Sequence, residues 1–153
     1  MSLKDRITED MKSAMRARDA VRLSTIRLLL AAIKQKEIDE RIAVDDAQTL
    51  AIIEKLIKQR RDSIEQFGRA NRQDLVDQET FELSILAGYQ PEQASAEELA
   101  AAVADAIGAT AAAGPADMGK VMAILKAKLA GRADMSAVSG LVKSRLAAPA
   151  TRP

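Results

Sequence analysis

Asp46-Ala-Gln-Thr-Leu50-Ala-Ile-Ile53-Glu-Lys-Leu-Ile57-Lys-Gln-Arg60-Arg-Asp-Ser-Ile64-Glu-Gln-Phe67-Gly68 is the stretch whose reading decides the fold. Leu50, Ile53, Ile57, Ile64 and Phe67 recur at steps of three, four and seven, which places them on one side of an α-helix and suits the seam of a helix bundle. Arg60 breaks that row at a single position. Asp45 or Asp46 can cap the helix, and Gly68 is placed to end it. A half-buried strand would need strict alternation, and no such pattern competes here or elsewhere in the chain.

Upstream, Leu3, Ile7, Met11 and Met15 lie four apart and form the stripe of a first helix. Asp19 can cap a second helix running to about Glu40, with Leu23, Ile26, Leu30 and Ile33 inward. Downstream, Asn71 can cap a fourth helix, with Leu75, Leu83 and Leu86 inward and Gly88 at its end. Tyr89-Gln90-Pro91 then interrupts helicity, because proline disfavours a helical residue before it. Ser95 and Glu98 form a capping-box pattern that opens a fifth helix carrying Leu99, Val103 and Ile107, closed by Gly114-Pro115. A sixth helix is expected over about 118–130, with Val121, Leu125 and Leu129 inward and Gly131 as its stop. Ser136 opens a seventh, with Val138, Leu141, Val142 and Leu146. The expected fold class is all-α: a four-helix bundle-like domain over 1–90, a three-helix tail domain over 91–148, and a frayed tail over 149–153.

Composition supports this reading. Of 153 residues, 48% are apolar but only 2% aromatic, so the core must be aliphatic, which suits interlocking helix ridges. Charge is not evenly spread. Residues 1–90 hold 16 basic and 16 acidic side chains, 91–116 hold four acidic and no basic, and 117–153 hold seven basic and two acidic, a net of +5. That shift marks the boundary near residue 91. The longest apolar run, Leu28 to Ile33, is too short to span a bilayer, so no membrane partner is expected. The charged N-terminus shows no signal-peptide pattern, and a cytoplasmic protein is the default expectation.

Several chemistries are excluded or weakened. The chain has no cysteine and no histidine, which removes thiol chemistry and the commonest general base and metal ligand. Gly114-Pro-Ala-Asp-Met-Gly119-Lys120 matches the spacing of a phosphate loop. However, Val121 follows where Ser or Thr would hold magnesium, and an Ala-rich helix precedes it instead of a strand. The first turn could still offer free N–H groups to a phosphate. Asp45/Asp46 and Glu97/Glu98 are adjacent pairs at helix starts, where capping explains them better than metal binding. No serine sits in a Ser–Lys signature. No cofactor and no metal site are expected.

What remains is positive charge. Residues 12–36 hold Lys12, Arg16, Arg18, Arg22, Arg27, Lys34 and Lys36 against Asp19 alone, and the C-terminal part adds Lys120, Lys126, Lys128, Arg132, Lys143 and Arg145. Either cluster alone could be an ordinary solvated helix face. Two clusters in a nearly neutral chain make a polyanion site the more useful reading. Single-stranded bases would need aromatic platforms, and Phe67, Phe81 and Tyr89 are the full set, so a folded RNA fits better.

Asp117-Met118-Gly119-Lys120-Val121-Met122 with Lys128-Leu129-Ala130-Gly131-Arg132-Ala133-Asp134 resembles the tail-domain signature of the GatB/YqeY family. Glu82-Leu83-Ser84-Ile85-Leu86 with Tyr89-Gln90-Pro91 resembles that family's hinge, although Gln90 stands where leucine is usual. Leu3-Lys4-Asp5-Arg6-Ile7 and Arg22-Leu23-Ser24-Thr25-Ile26-Arg27 are similar to the free-standing members. The resemblance implies a helical bundle joined to a three-helix tail like that of the B subunit of the tRNA amidotransferase, where the tail docks on folded tRNA. It also implies association with carbon–nitrogen ligase activity with glutamine as amido-N-donor. The catalytic part of the larger enzyme has no counterpart here, so the chain is not expected to be an enzyme alone. The expected contacts are the Gly119 backbone with Lys120, Lys126, Lys128, Arg132 and Lys143, and the expected partners are tRNA and the amidotransferase subunits or aminoacyl-tRNA machinery. A non-catalytic protein–protein adaptor that docks through the N-terminal bundle is the alternative.

Overall fold

The structure, a computed structural model, describes residues 1–147. It is all-α, as expected, with seven α-helices and no strand among the described residues. They are α1 (Leu3–Arg16), α2 (Ala20–Glu40), α3 (Asp46–Arg69), α4 (Gln73–Ala87), α5 (Ala96–Thr110), α6 (Met118–Lys128) and α7 (Met135–Ala147), with a 3-10 turn at Pro115–Asp117. The chain divides into two compact units, Met1–Pro91 and Glu92–Pro153. The frayed tail expected at 149–153 lies outside the described residues.

Side-chain caps set several helix starts. Ser2 accepts from the Asp5 N–H and Asp5 returns a bond to the Ser2 N–H, a complete capping box. Asp19 accepts from Arg22, Asp45 from Gln48 and Ser95 from Glu98. Each cap occupies a backbone donor that would otherwise be an orphan of the first turn.

In the first unit, α3 packs against both α2 and α4. Ile7, Ile26, Leu29, Ile53 and Ile57 are essentially sealed from water. Leu50, Ile64 and Phe67 are only partly buried, so the sealed centre of the predicted seam is narrower than its spacing suggested. Thr25 and Thr49 are also buried, each returning its hydroxyl to the carbonyl four residues back, at 3.1 and 2.8 Å. In the second unit the core is Val103, Val121, Leu125, Leu129, Val138 and Val142, with Ala102 and Ala106. The small alanines let α5 approach its neighbours closely, and that face complements the aliphatic stripe.

Several expected boundaries shift. Gly68 does not end α3. The helix runs to Arg69, and the reversal falls on Asn71 at φ 58°. Asn71 therefore turns the chain and does not cap α4, whose start at Arg72 has no side-chain cap. α5 ends at Thr110, with Ala111 at φ 52°, short of Gly114-Pro115. Met15 and Leu141 face outward, 47% and 41% exposed, because Ala14 and the Val138–Val142–Leu146 row hold the core positions.

Arg60, the apparent flaw in the α3 seam, is the centre of an ion cluster with α4. Its Nε lies 3.1 Å from Glu82 Oε2 and 3.4 Å from Glu79 Oε2, with all three side chains less than a fifth exposed. Neither Arg60 Nε nor Glu79 Oε2 makes a hydrogen bond of good geometry. Burial raises the Glu79 pKa; Arg60 opposes this and Glu82 adds to it. A carboxylate with a raised folded pKa stabilises the fold below its unfolded pKa, and that contribution is lost as pH rises through the folded value. Urea titrations at a series of pH values should therefore show Glu79→Gln gaining on the wild type as pH climbs from below the ordinary carboxylate range to neutrality. A pH-independent difference would refute this account. Ile53→Ala should cost about 2–5 kcal/mol in the same assay, because a sealed branched side chain leaves a cavity.

Candidate functional site

Helix geometry sorts five of the six tail candidates into two groups, with Lys120 apart from both. On α6, Gly119, Met122 and Lys126 follow at intervals of three and four and share one face. On α7, Ser136, Ser139 and Lys143 do the same. These two faces meet. Met122, Lys126, Met135, Ser136 and Ser139 line a shallow groove of about 470 Å³. By the same spacing Gly119 lies about one turn before Met122 on α6, and Lys143 one turn past Ser139 on α7. Lys126 and Lys143 are exposed and enter no ion pair among the described residues.

Lys128 and Arg132 belong elsewhere. At 3.6 residues per turn Lys128 points about 160° away from Lys126 around α6. Its Nζ is 4.0 Å from Asp105 Oδ2 on α5. Arg132 is a structural residue. Its Nε donates to the Glu92 carbonyl at 2.9 Å and its guanidinium pairs with Glu98 at 2.7 Å, which holds the Glu98 carboxyl below the usual range. The Ala94 N–H donates to the Arg132 carbonyl, and Gln93 reaches the Gly131 carbonyl. Sequence spacing could not show this, because Glu92 and Glu98 are more than thirty residues from Arg132.

The stretch with phosphate-loop spacing is closed by its own carboxylate. Asp117 Oδ2 accepts from the Ala113 and Gly114 N–H groups at 2.9 and 3.3 Å, bonds that depress its pKa with smaller help from Lys120. The amides that would cradle a nucleotide phosphate are thus occupied, and the preceding element is helix α5. One turn on, α6 begins without a side-chain cap. A Cβ placed on Gly119 would meet nothing within 4 Å, but α6 follows directly on the 3-10 turn, whose Pro115 carbonyl accepts from the Met118 N–H. Lys120 is exposed beside it. Among the described residues no cluster of three acidic side chains could hold a metal ion.

Three of the seven basic residues in the 12–36 cluster are engaged, while Arg18, Arg22, Arg27 and Lys34 enter no ion pair among the described residues. Lys12 pairs with Glu9, Lys36 with Glu40, and Arg16 donates to Ser13. The expected hinge residue Tyr89 is buried in the first unit. Its hydroxyl donates to Asp10 at 2.7 Å and Arg6 lies over its ring at 5.2 Å. Burial, then the bond to Asp10, pushes the phenol pKa well up. Gln90 is partly buried and Pro91 exposed. No single helix among the described residues is long and apolar enough to cross a membrane.

This combination defines a class: an all-helical protein whose tail unit carries lysines, Lys126 and Lys143, that enter no ion pair among the described residues. The chain belongs to the Yqey-like protein family, whose model matches residues 4–146. It is 46% identical over 98 residues to Altered inheritance of mitochondria protein 41, mitochondrial, of Eremothecium gossypii, covering 62% of this chain and 54% of that protein. The protein of the same name from Pyrenophora tritici-repentis is 30% identical over 128 residues, covering 80% and 71%. That of Saccharomyces cerevisiae is 38% identical over 91 residues, covering 59% and 49%. The chain spans about half the length of the first of these relatives. Their names overturn the cytoplasmic expectation. That expectation rested on a charged N-terminus and short apolar runs, and neither property distinguishes one aqueous compartment from another.

Arg132→Ala should lower the stability of the chain by about 1 kcal/mol, the scale of a charged hydrogen bond discounted for solvent screening. Lys126→Ala should stay within about 0.5 kcal/mol of wild type. Thermal denaturation of both variants decides it, and equal effects would show that the division into structural and free cations is wrong.

Proposed function

We propose that this chain is a binding module for folded tRNA, acting with the aminoacyl-tRNA or amidotransferase machinery and not as an enzyme by itself. The observation that carries the reading is the uncommitted cation Lys126 on a groove bearing the Ser136 and Ser139 hydroxyls, with the exposed Lys143 one turn beyond Ser139 on α7. Gly119 and Lys120 are exposed in the first turn of α6. Cations, hydroxyls and helix-start amides are the groups that bind phosphate oxygens. The resemblance to the amidotransferase tail supplies the choice of RNA.

Phosphate binding of this kind positions RNA without reading its sequence. With about three or four phosphate contacts, affinity for purified tRNA should fall roughly a hundredfold between 50 and 200 mM salt. Lys126→Glu and Lys143→Glu should each weaken binding and flatten the salt slope, while Lys128→Glu, on the side facing Asp105, should do less. Fluorescence anisotropy measures all of these. Salt-insensitive binding, or three equal losses, would remove the groove from the account. The pure chain is expected to turn over neither ATP nor glutamine.

A further inference from the structure

Helix α2 is apolar on two faces. Ile26, Leu29 and Ile33 fill the core of the first unit. On the opposite side Val21, Ser24, Leu28, Ala31, Gln35 and Ile38 are all exposed. They alternate at intervals of three and four, the a and d positions of a coiled-coil heptad. The apolar members are open: Val21 is 47%, Leu28 52% and Ile38 59% exposed. A surface helix needs only its inner face apolar, so a second seam in 3.5-residue register is not explained by the fold.

The flanks of this strip carry a sign. Arg27 and Lys34 occupy successive positions along one edge, and Arg41 stands at the helix end in the same series. None of the three forms an ion pair among the described residues. Lys34 is near enough to Glu37 to help lower its pKa, but Glu37 is bonded to Lys4 and to the Val44 N–H. The acidic residues nearest the other edge are also engaged, Asp39 accepting from Gln35 and Glu40 pairing with Lys36. Antiparallel pairing with a second copy would set the basic edge against itself, a repulsive arrangement. A lipid surface is a poor match for a narrow seam interrupted by Ser24 and Gln35. We infer that the outer face of α2 is a docking strip for an amphipathic helix of another protein, one with an aliphatic seam at 3–4 spacing and acidic residues along its flank.

The strip is separate from the tail groove, so the inference stands apart from the RNA reading. The test uses the full chain and two fluorophore-labelled synthetic helices of about three heptads. Both carry the same Leu/Ile seam, one with Glu flanks and one with Lys flanks. The Glu-flanked helix should bind, and the Lys-flanked one should bind about tenfold or more weakly, the sum of several rim pairs of modest strength. Leu28→Asp with Ile38→Asp, at positions exposed enough to leave folding intact, should abolish both. Arg27→Glu with Lys34→Glu, which leaves the seam alone, should reverse the preference between the helices. Equal binding of the two helices, an unchanged preference in the charge-swapped variant, or self-association of the chain dissolved by the Leu28/Ile38 substitutions would overturn the inference.

Discussion

Branched aliphatic side chains packed with almost no aromatic bulk are the constraint on which everything else rests. Ile7, Ile26, Leu29, Ile53 and Ile57 in one unit, and Val103, Val121, Leu125 and Val142 in the other, are sealed from water. Side chains of that size fill space only when helices come close, and Ala14, Ala102 and Ala106 supply the close approaches. Close packing fixes the rotation of each helix about its axis. That rotation in turn decides which residues are left for other molecules.

Charge follows from that packing. The acidic residues of α5 are drawn to one side of the tail unit, where Glu98 takes Arg132 and Asp105 stands near Lys128. Lys126, on the groove, and Lys143, further along α7, are left without an ion pair among the described residues. In the first unit Arg60 is held between Glu79 and Glu82, and Glu37 is held by Lys4. Arg27 and Lys34, turned outward by the rotation of α2, have no such partner among the described residues. The same rule therefore produces two quite different surfaces: a groove of methionines, serines and one lysine on the tail unit, and an apolar strip with a cationic edge on α2.

The helices and many of their starts were legible because caps and apolar periodicity are local. Asp19, Asp45 and Ser95 bond to amides three residues on, well within the reach of a sequence pattern. Stops were read less well. Gly68 and Gly114 were plausible terminators, yet the left-handed residues are Asn71 and Ala111, chosen by how the following segment must dock. Of the candidate contacts, Lys126 and Lys143 could be named as basic residues, but not as ones left without an ion pair by the fold. Arg132 resembled a ligand contact because its partners, Glu92 and Glu98, are remote in the chain.

The sequence by itself determined the helical fold class, the aliphatic nature of the core, the family resemblance and the absence of thiol or imidazole chemistry. Each depends only on which residues are present and how they repeat. The tertiary structure alone decided which cations are consumed within the fold and which remain available, that Arg60 is an ion-pair centre and not a break in a seam, and that α2 keeps a second apolar row on its outside. Those outcomes depend on helix rotation and on partners in other segments, about twenty to forty residues away, and no short-range pattern encodes either.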